Sequence, residues 1–333
     1  MKLSCAAFDE SSSFRNQAAA MEAAGFDTLM VTETQHDPFV RAAVAVEHTS
    51  RAEIMTGIAV AFARTPMLLA YGAHDLNSLS GGRFLLGLGS QIKPHITQRF
   101  SMPWSHPAER MREMLQATRA IWDCWYDGKP LDFRGQFYTH TLMTPYFTPT
   151  DTQFGRPKVH LAAVGPNMTD VAGEVADGMI CHAFITERYL KQITLPAIEA
   201  GLARSGRSRK DFELTGVPLV ASGSDDEELE KARDRVRRQI AFYGSTPAYR
   251  GVLDLHGWGD LQGELNRLSK QGKWDDMGGL IDDSILEAFA VVGRPEEAAR
   301  ELRRRFGGLF DRMTVTFDAS PDVLPALLTT LRG

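Results

Sequence analysis

Eight times along this chain a short, largely apolar segment gives way to a stretch with helical periodicity. An apolar segment without polar alternation is how a strand buried on both faces reads, and such strands in alternation with helices build a parallel sheet. The segments are Lys2–Phe8, Asp27–Val31, Ile54–Val60, Phe84–Leu88, Val159–Val164, Gly178–Cys181, Phe212–Val220 and Arg312–Phe317. The helices between them carry their own punctuation. Gly25 stops Ser11–Ala24, Pro66–Leu79 starts on proline and ends before Gly81, and Ser320-Pro321 caps the last helix, Pro321–Leu331. Helices are also expected at Pro38–Glu47, Asn167–Ala176, Glu187–Arg204, Asp225–Tyr243 and Pro295–Phe306. In Pro107–Tyr126, Met111, Met114, Leu115, Thr118, Ile121, Trp122 and Trp125 keep one helical face, which reads as core packing rather than a site.

Two segments break the alternation. Gly128–Pro157 is rich in proline and aromatics, with a hairpin expected around Phe133–Tyr138, and Gly244–Ala290 reads as a helical insertion. Without them roughly 250 residues remain, the usual size of a closed barrel. The expected fold is a (β/α)8 TIM barrel forming a single domain over residues 1–333, with insertions at about 128–157 and 244–290. A doubly wound open sheet is the runner-up.

Net charge is −5 at a pI near 6, which favours neither nucleic acid nor an anionic membrane. No apolar run is long enough to span a bilayer, and the first residues lack a signal-peptide core. Cys5, Cys124 and Cys181 are scattered, with no Cys-x-x-Cys pair. Reduced thiols in a cytoplasmic protein, without a disulfide framework or a metal site, are expected.

A barrel keeps its chemistry at the carboxyl ends of its strands. After the second strand, Thr32-Glu33-Thr34-Gln35-His36-Asp37 brings a carboxylate and an imidazole toward the mouth. Glu33 and His36 could move protons there, or the loop could be a solvated connection capped by Asp37-Pro38. Gly57 inside the third strand marks a bulge or a packing accommodation. The fourth strand ends in Gly87-Leu88-Gly89-Ser90, and the fifth runs through Ala163-Val164-Gly165-Pro166-Asn167 into a helix. Small residues at a helix N-terminus offer the N–H groups of Gly165, Asn167 and Met168 to a phosphate, although tight turns of this kind also occur without one. Ile92 stands where a dinucleotide fingerprint needs its third glycine. Walker, Gly-x-Ser-x-Gly and His-Glu-x-x-His motifs are absent. Lys93, His95, Arg99, Trp104 and His106 crowd the loop after the fourth strand, as an anion-binding edge or an exposed rim.

Taken together, Gly25–Glu33, Gly57–Pro66, Leu79–Ser90 and Ala162–Ile180 resemble the bacterial luciferase-like monooxygenase superfamily, and within it the branch of oxidoreductases that use the deazaflavin coenzyme F420. The resemblance spans nearly the whole barrel. It implies a homodimer of barrels and a non-proline cis peptide behind the cofactor ring, matching Gly57–Ile58. It also implies an acid near the ring matching Glu33, and a phosphate against Gly89-Ser90 and Val164-Gly165-Pro166-Asn167. The cofactor-binding set so implied is Gly57, Ile58, Ala59, Gly87, Gly89, Ser90, Ala163, Val164, Gly165, Pro166 and Asn167. Thr34 stands where many relatives carry His directly after the acid. Ile92 replaces the acid of sugar-phosphate dehydrogenases, which weighs against that activity. The activity implied is hydride transfer between F420 and a small organic substrate, without nucleic-acid or membrane partners. The alternatives are an FMN-dependent monooxygenase fed by a separate reductase, and a flavin-binding barrel without turnover. Tyr249, His256 and Trp258 in the second insertion either close the substrate pocket or serve an oligomer contact.

Overall fold

Eight parallel strands pair in sequence order and the last pairs with the first, Lys2 opposite Arg312, so the sheet closes into the expected (β/α)8 barrel. The structure, a computed structural model, describes residues 1–7, 13–317 and 323–333. The strands are β1 (Lys2–Ala7), β2 (Thr28–Val31), β3 (Glu53–Thr56, resuming as Ala59–Val60), β4 (Phe84–Gly89), β5 (Lys158–Ala163), β6 (Gly178–Cys181), β7 (Glu213–Gly216) and β8 (Arg312–Thr314). Every residue of β2, β4 and β6 is buried, which is why these segments read as unbroken apolar runs.

The helices that position the mouth are α1 (Phe14–Ala24), α2 (Pro38–Glu47), α3 (Pro66–Leu79), α4 (Pro107–Asp127), α5 (Pro166–Val175), α6 (Leu195–Arg204) and α7 (Asp226–Gly244), followed by α8 (Pro295–Phe306) and α9 (Leu324–Arg332). Local chemistry sets their ends. The Asp37 carboxylate accepts the N–H groups of Phe39 and Val40, and the Thr65 hydroxyl accepts that of Leu68. Gly25 stops α1 in the left-handed region, at φ 101°. The apolar stripe of α4 is buried as expected, and Trp122 donates to the Ala70 carbonyl at 3.2 Å. The expected hairpin forms between Phe133–Arg134 and Thr139–His140. It is clipped to α4 by the Glu113 carboxylate, which accepts the N–H groups of Gln136, Phe137 and Tyr138.

Four expectations need correction. The third strand is not continuous, because it leaves the ladder between Thr56 and Ala59. The seventh ends at Gly216, since Pro218 has no N–H to continue the ladder. The chain resumes at Leu219–Ser222 and pairs outside the barrel with a parallel strand, Ala290–Gly293, where no strand is expected from the sequence. The helix expected at Glu187–Arg204 contains a π turn at Leu190–Thr194, just before Pro196, which lacks the N–H for a regular turn. The Ser320-Pro321 cap, the start of the first helix at Ser11 and the end of the first strand at Phe8 lie outside the described residues.

The barrel interior is layered. At the amino ends of the strands the fully buried Arg312 bonds Glu213 at 2.6 Å and Glu53 at 2.7 Å, and Lys2 reaches Glu53 at 2.6 Å. Nearby, burial pushes His160 down to about 4, so the ring is neutral. Above this layer Met30, Met55, Leu85 and Ile180 form an apolar plug. The three cysteines are free, and burial pushes the Cys5 and Cys181 thiols up to about 12, which leaves them unreactive. No described helix is long and apolar enough to cross a membrane. No described cluster of His, Cys, Asp and Glu could hold a metal ion.

Candidate active site

The carboxyl end of the barrel is shaped first by the break in β3. Met55 pairs with Leu85, and the ladder resumes only at Ala59 opposite Leu88. The Gly57–Ile58 peptide is cis, as the resemblance implied. The skipped backbone of Gly87 is served by a side chain instead. The buried Thr56 hydroxyl donates to the Gly87 carbonyl at 2.7 Å and accepts the Gly87 N–H at 2.9 Å.

Gly87 and Gly89 are explained by this wall. A Cβ on Gly87 would overlap the Thr56 carbonyl oxygen, and one on Gly89 would stand 2.9 Å from Ile58 Cδ1. Both glycines therefore admit the broken strand beside them. Ala59 and Ala163 are buried, at 0% and 5% exposure.

Glu33 leaves β2 and turns back onto β3. Its Oε2 accepts the Val60 N–H at 2.7 Å and an Arg64 Nη1 bond at 2.7 Å, while Arg64 Nη2 reaches Asp37 at 2.8 Å. The Glu33 side chain is only 7% exposed. Arg64 also donates to the Val60 carbonyl at 3.1 Å, so it ties the loop after β2 to the resumed part of β3. Oε1 has no hydrogen-bond partner among the described residues. His36 is exposed, and the structure does not bring it into contact with Glu33. Arg99, from the loop after β4, donates to the Thr34 carbonyl at 2.6 Å and holds the two loops together. Lys93 and His95 are exposed, whereas Trp104 packs on Phe62 and His106 lies against Phe137.

Two strands on, α5 begins without a side-chain cap at Gly165. The Gly165 carbonyl accepts the Thr169 N–H at 3.1 Å, and the N–H groups of Asn167 and Met168 have no acceptor among the described residues. A Cβ added at Gly165 would meet nothing within 4 Å, so this turn faces open space. Extending the Leu88–Leu161 register sets Ser90 beside Ala163, at the same rim. The Ser90 hydroxyl donates to the Gln91 carbonyl at 3.1 Å, and the open N–H donors beside it suit a phosphate, so in this respect the residues fit a phosphate-bearing cofactor.

The sequence reading did not single out His182, directly past β6. Ala163 pairs with Cys181, which brings His182 next to Val164 at the mouth. Its Nδ1 accepts the Phe184 N–H at 3.0 Å, and its ring lies 4.6 Å from that of Tyr243 and 4.8 Å from that of Tyr249. Burial pushes His182 down to about 4, and burial with the neighbouring Tyr243 pushes Tyr249 up to about 12, so both are neutral. The rule used for the other strand ends was the available signal for this residue. His256 bonds the Thr186 hydroxyl at 2.8 Å and stacks on Trp258, bracing the insertion against the segment after β6.

A cleft of about 790 Å³, lined by Lys158, Asp177, Arg209, Glu213 and Asp311, lies at the opposite end, where the strands begin. We place the candidate site at the carboxyl end because the loops with free donors converge there, while the strand starts of this fold serve stability.

Residues 6–312 match the family described as luciferase-like monooxygenase, and the chain belongs to that family. It is 54% identical over 316 residues to an uncharacterized protein of Mycobacterium tuberculosis (strain ATCC 25618 / H37Rv), covering 95% of this chain and 93% of that one. It is 27% identical over 290 residues to the 5,10-methylenetetrahydromethanopterin reductase of Archaeoglobus fulgidus, covering 84% and 82%. Among solved structures, the coenzyme F420-dependent tetrahydromethanopterin reductase of Methanopyrus kandleri superposes with a TM-score of 0.79 at 19% identity, over 98% of this chain and 96% of that one.

Proposed function

We propose that the chain is an oxidoreductase that moves a hydride between coenzyme F420 and a small organic substrate at the carboxyl end of the barrel. The observation that carries this reading is the uncapped first turn of α5, open at Gly165 and beside the Ser90 end of β4. The N–H groups of Gly165, Asn167 and Met168 and the Ser90 hydroxyl would hold the phosphate, with Ala163, Val164 and Pro166 along it. Gly57, Ile58 and Ala59 would back the ring. Bound there, F420 would supply a ring carbon that takes or gives a hydride, without ready activation of oxygen.

The chain's own work is orientation and proton handling. Arg64 fixes Glu33 through Oε2, and the unengaged Oε1 is the proposed proton-handling atom, with the exposed His36 as a second candidate. The F420 reading over FMN is supported by the resemblance of the site strands and by a 26% identical relative from Mycobacterium tuberculosis whose name gives it as a coenzyme F420-dependent oxidoreductase. The expected homodimer belongs to the same proposal. Val40 on α2 and Leu68 on α3 stand exposed, as does Phe147, whose carbonyl accepts the hydroxyl of Tyr71 from α3 at 2.7 Å. Light scattering would read a mass of twice 36.9 kDa for that dimer and 36.9 kDa against it.

An oxygen electrode separates the hydride reading from the FMN-dependent monooxygenase. Free reduced FMN consumes oxygen at its own rate, and the protein is expected to leave that rate unchanged. Protein-dependent acceleration that saturates with FMN would instead assign the barrel to the two-component monooxygenases.

A further inference from the structure

We infer that His182 holds the carbonyl oxygen of an uncharged substrate, through a hydrogen bond donated by its Nε2. The inference rests on the oxidoreductase reading above and adds the class of substrate.

The position comes from the barrel register. With Ala163 opposite Cys181, His182 is the first residue past β6 and faces the rim shared with Val164. The tautomer comes from the backbone. Nδ1 accepts the Phe184 N–H at 3.0 Å, so it carries no proton, and the single ring proton of the neutral imidazole is on Nε2. No group among the described residues hydrogen-bonds Nε2, and it is not one of the sealed, unpartnered polar atoms of the interior. A donor held open beside Val164, at the rim of the proposed cofactor site, is therefore available to a ligand.

The surroundings select against charge. Tyr243 from α7 and Tyr249 from the Pro247–Tyr249 turn hold the imidazole on two sides, and Phe184 packs against both tyrosine rings. Gln239 donates to the Tyr243 hydroxyl at 3.2 Å, which leaves that hydroxyl's own proton to donate. None of these facing groups is charged, and burial is what keeps His182 neutral. A carboxylate or phosphate placed here would lose water and find no cation, whereas a carbonyl oxygen needs only a neutral donor. The aromatic walls suit the apolar body of such a molecule. The arrangement also gives Tyr249 a role at the mouth, while His256 and Trp258 brace the insertion from behind.

The test uses the full chain with F420 present and absent, and two probes of similar shape, cyclohexanone and cyclohexanecarboxylate. In protein labelled with ¹⁵N-histidine, the signal lost in His182→Phe identifies the ring. That signal is expected to report the Nε2–H tautomer at pH 7 and to move on addition of cyclohexanone but not of the carboxylate. His182→Phe, which keeps a flat ring between the tyrosines, should weaken cyclohexanone binding about tenfold. His182→Gln, which can accept the Phe184 N–H and still donate, should restore it to within about twofold. F420 affinity should be the same in all three proteins. An Nδ1–H or charged ring at pH 7, equal ketone binding by His182→Phe, or a preference for the carboxylate would overturn the inference. Failure of the unaltered chain to bind F420 would overturn the cofactor reading instead, and the ketone-induced shift of the His182 signal keeps the two failures distinct.

Discussion

Replacing Arg312 with Met is expected to destabilise the protein by about 3 kcal/mol, the lower end of the range for breaking a buried ion pair. Arg312 is fully buried, and burial works against its charge, yet the bonds to Glu213 and Glu53 outweigh that and move its pKa up. Burial likewise works to raise both carboxyl groups, and the guanidinium overrides it and holds them below their ordinary values. Removing Arg312 leaves the Glu213 carboxylate beside a neutral His160, and Glu53 with Lys2 as its remaining cation and the Thr28 hydroxyl at 3.3 Å. Their side chains are 26% and 23% exposed, and solvent screening is why the lower end of the range applies.

The pH dependence has a definite sign. Carboxyl groups with depressed folded pKa values stabilise above their unfolded value, near 4.5, and that contribution is lost as pH falls through the folded values. The gap between Arg312→Met and the unaltered protein should therefore shrink in acid. Denaturant unfolding at pH 7 and pH 4 reads both effects, and F420 affinity should not change, because the ion pairs lie at the opposite end of the barrel. A stability change below about 1 kcal/mol at pH 7 would show that water already fills this layer.

Gly87→Ala is expected to cost about 3 kcal/mol or more and, unlike Arg312→Met, to weaken cofactor binding as well. The new methyl would overlap the Thr56 carbonyl oxygen and press Ile180 Cδ1 at 2.9 Å. The first of these is backbone and cannot rotate away. Moving β3 aside also parts the Thr56 hydroxyl from the Gly87 N–H and carbonyl, which then stand unpaired in the interior at about 1–3 kcal/mol each. Thr56→Val isolates that second component, since it keeps the shape and removes the hydroxyl. Gly165→Ala is the control. Its φ is −78° and a Cβ would meet nothing, so stability should change by no more than about 0.5 kcal/mol. Thermal unfolding of the three variants orders them, and a stable Gly87→Ala would refute the reading of Gly87 as the seat of the broken strand.

The barrel was legible because its strands are buried on both faces, so hydrophobicity alone marks them. Where the reading overran, a local signal had been outvoted. Pro218 forbids the ladder that the apolar run Phe212–Val220 suggests, and Ala290–Gly293 follows its helix with no glycine or proline to announce it. In the site, Gly57 and the small residues around Gly165 were readable as features, but what they touch was not. Gly87 and Gly89 read as room for a ligand, and the structure adds that a Cβ at either would meet Thr56 or Ile58. Glu33 was visible as an acid at a strand end, whereas its partner Arg64 lies 31 residues on and meets it only when β3 stands beside β2. A lone histidine after β6 forms no pattern in one dimension. Its tautomer and its walls come from Phe184, Tyr243 and Tyr249, which the fold brings together.

The central claim is that the carboxyl end of this barrel is built for a deazaflavin. The direct measurement is a titration of the purified chain with F420 and, separately, with FMN, followed in the visible spectrum of each cofactor. The account predicts saturable F420 binding at micromolar concentration or tighter, weakened by Ser90→Ala and by Gly87→Ala but not by Arg312→Met. Absence of F420 binding, or FMN binding more tightly than F420, would contradict it.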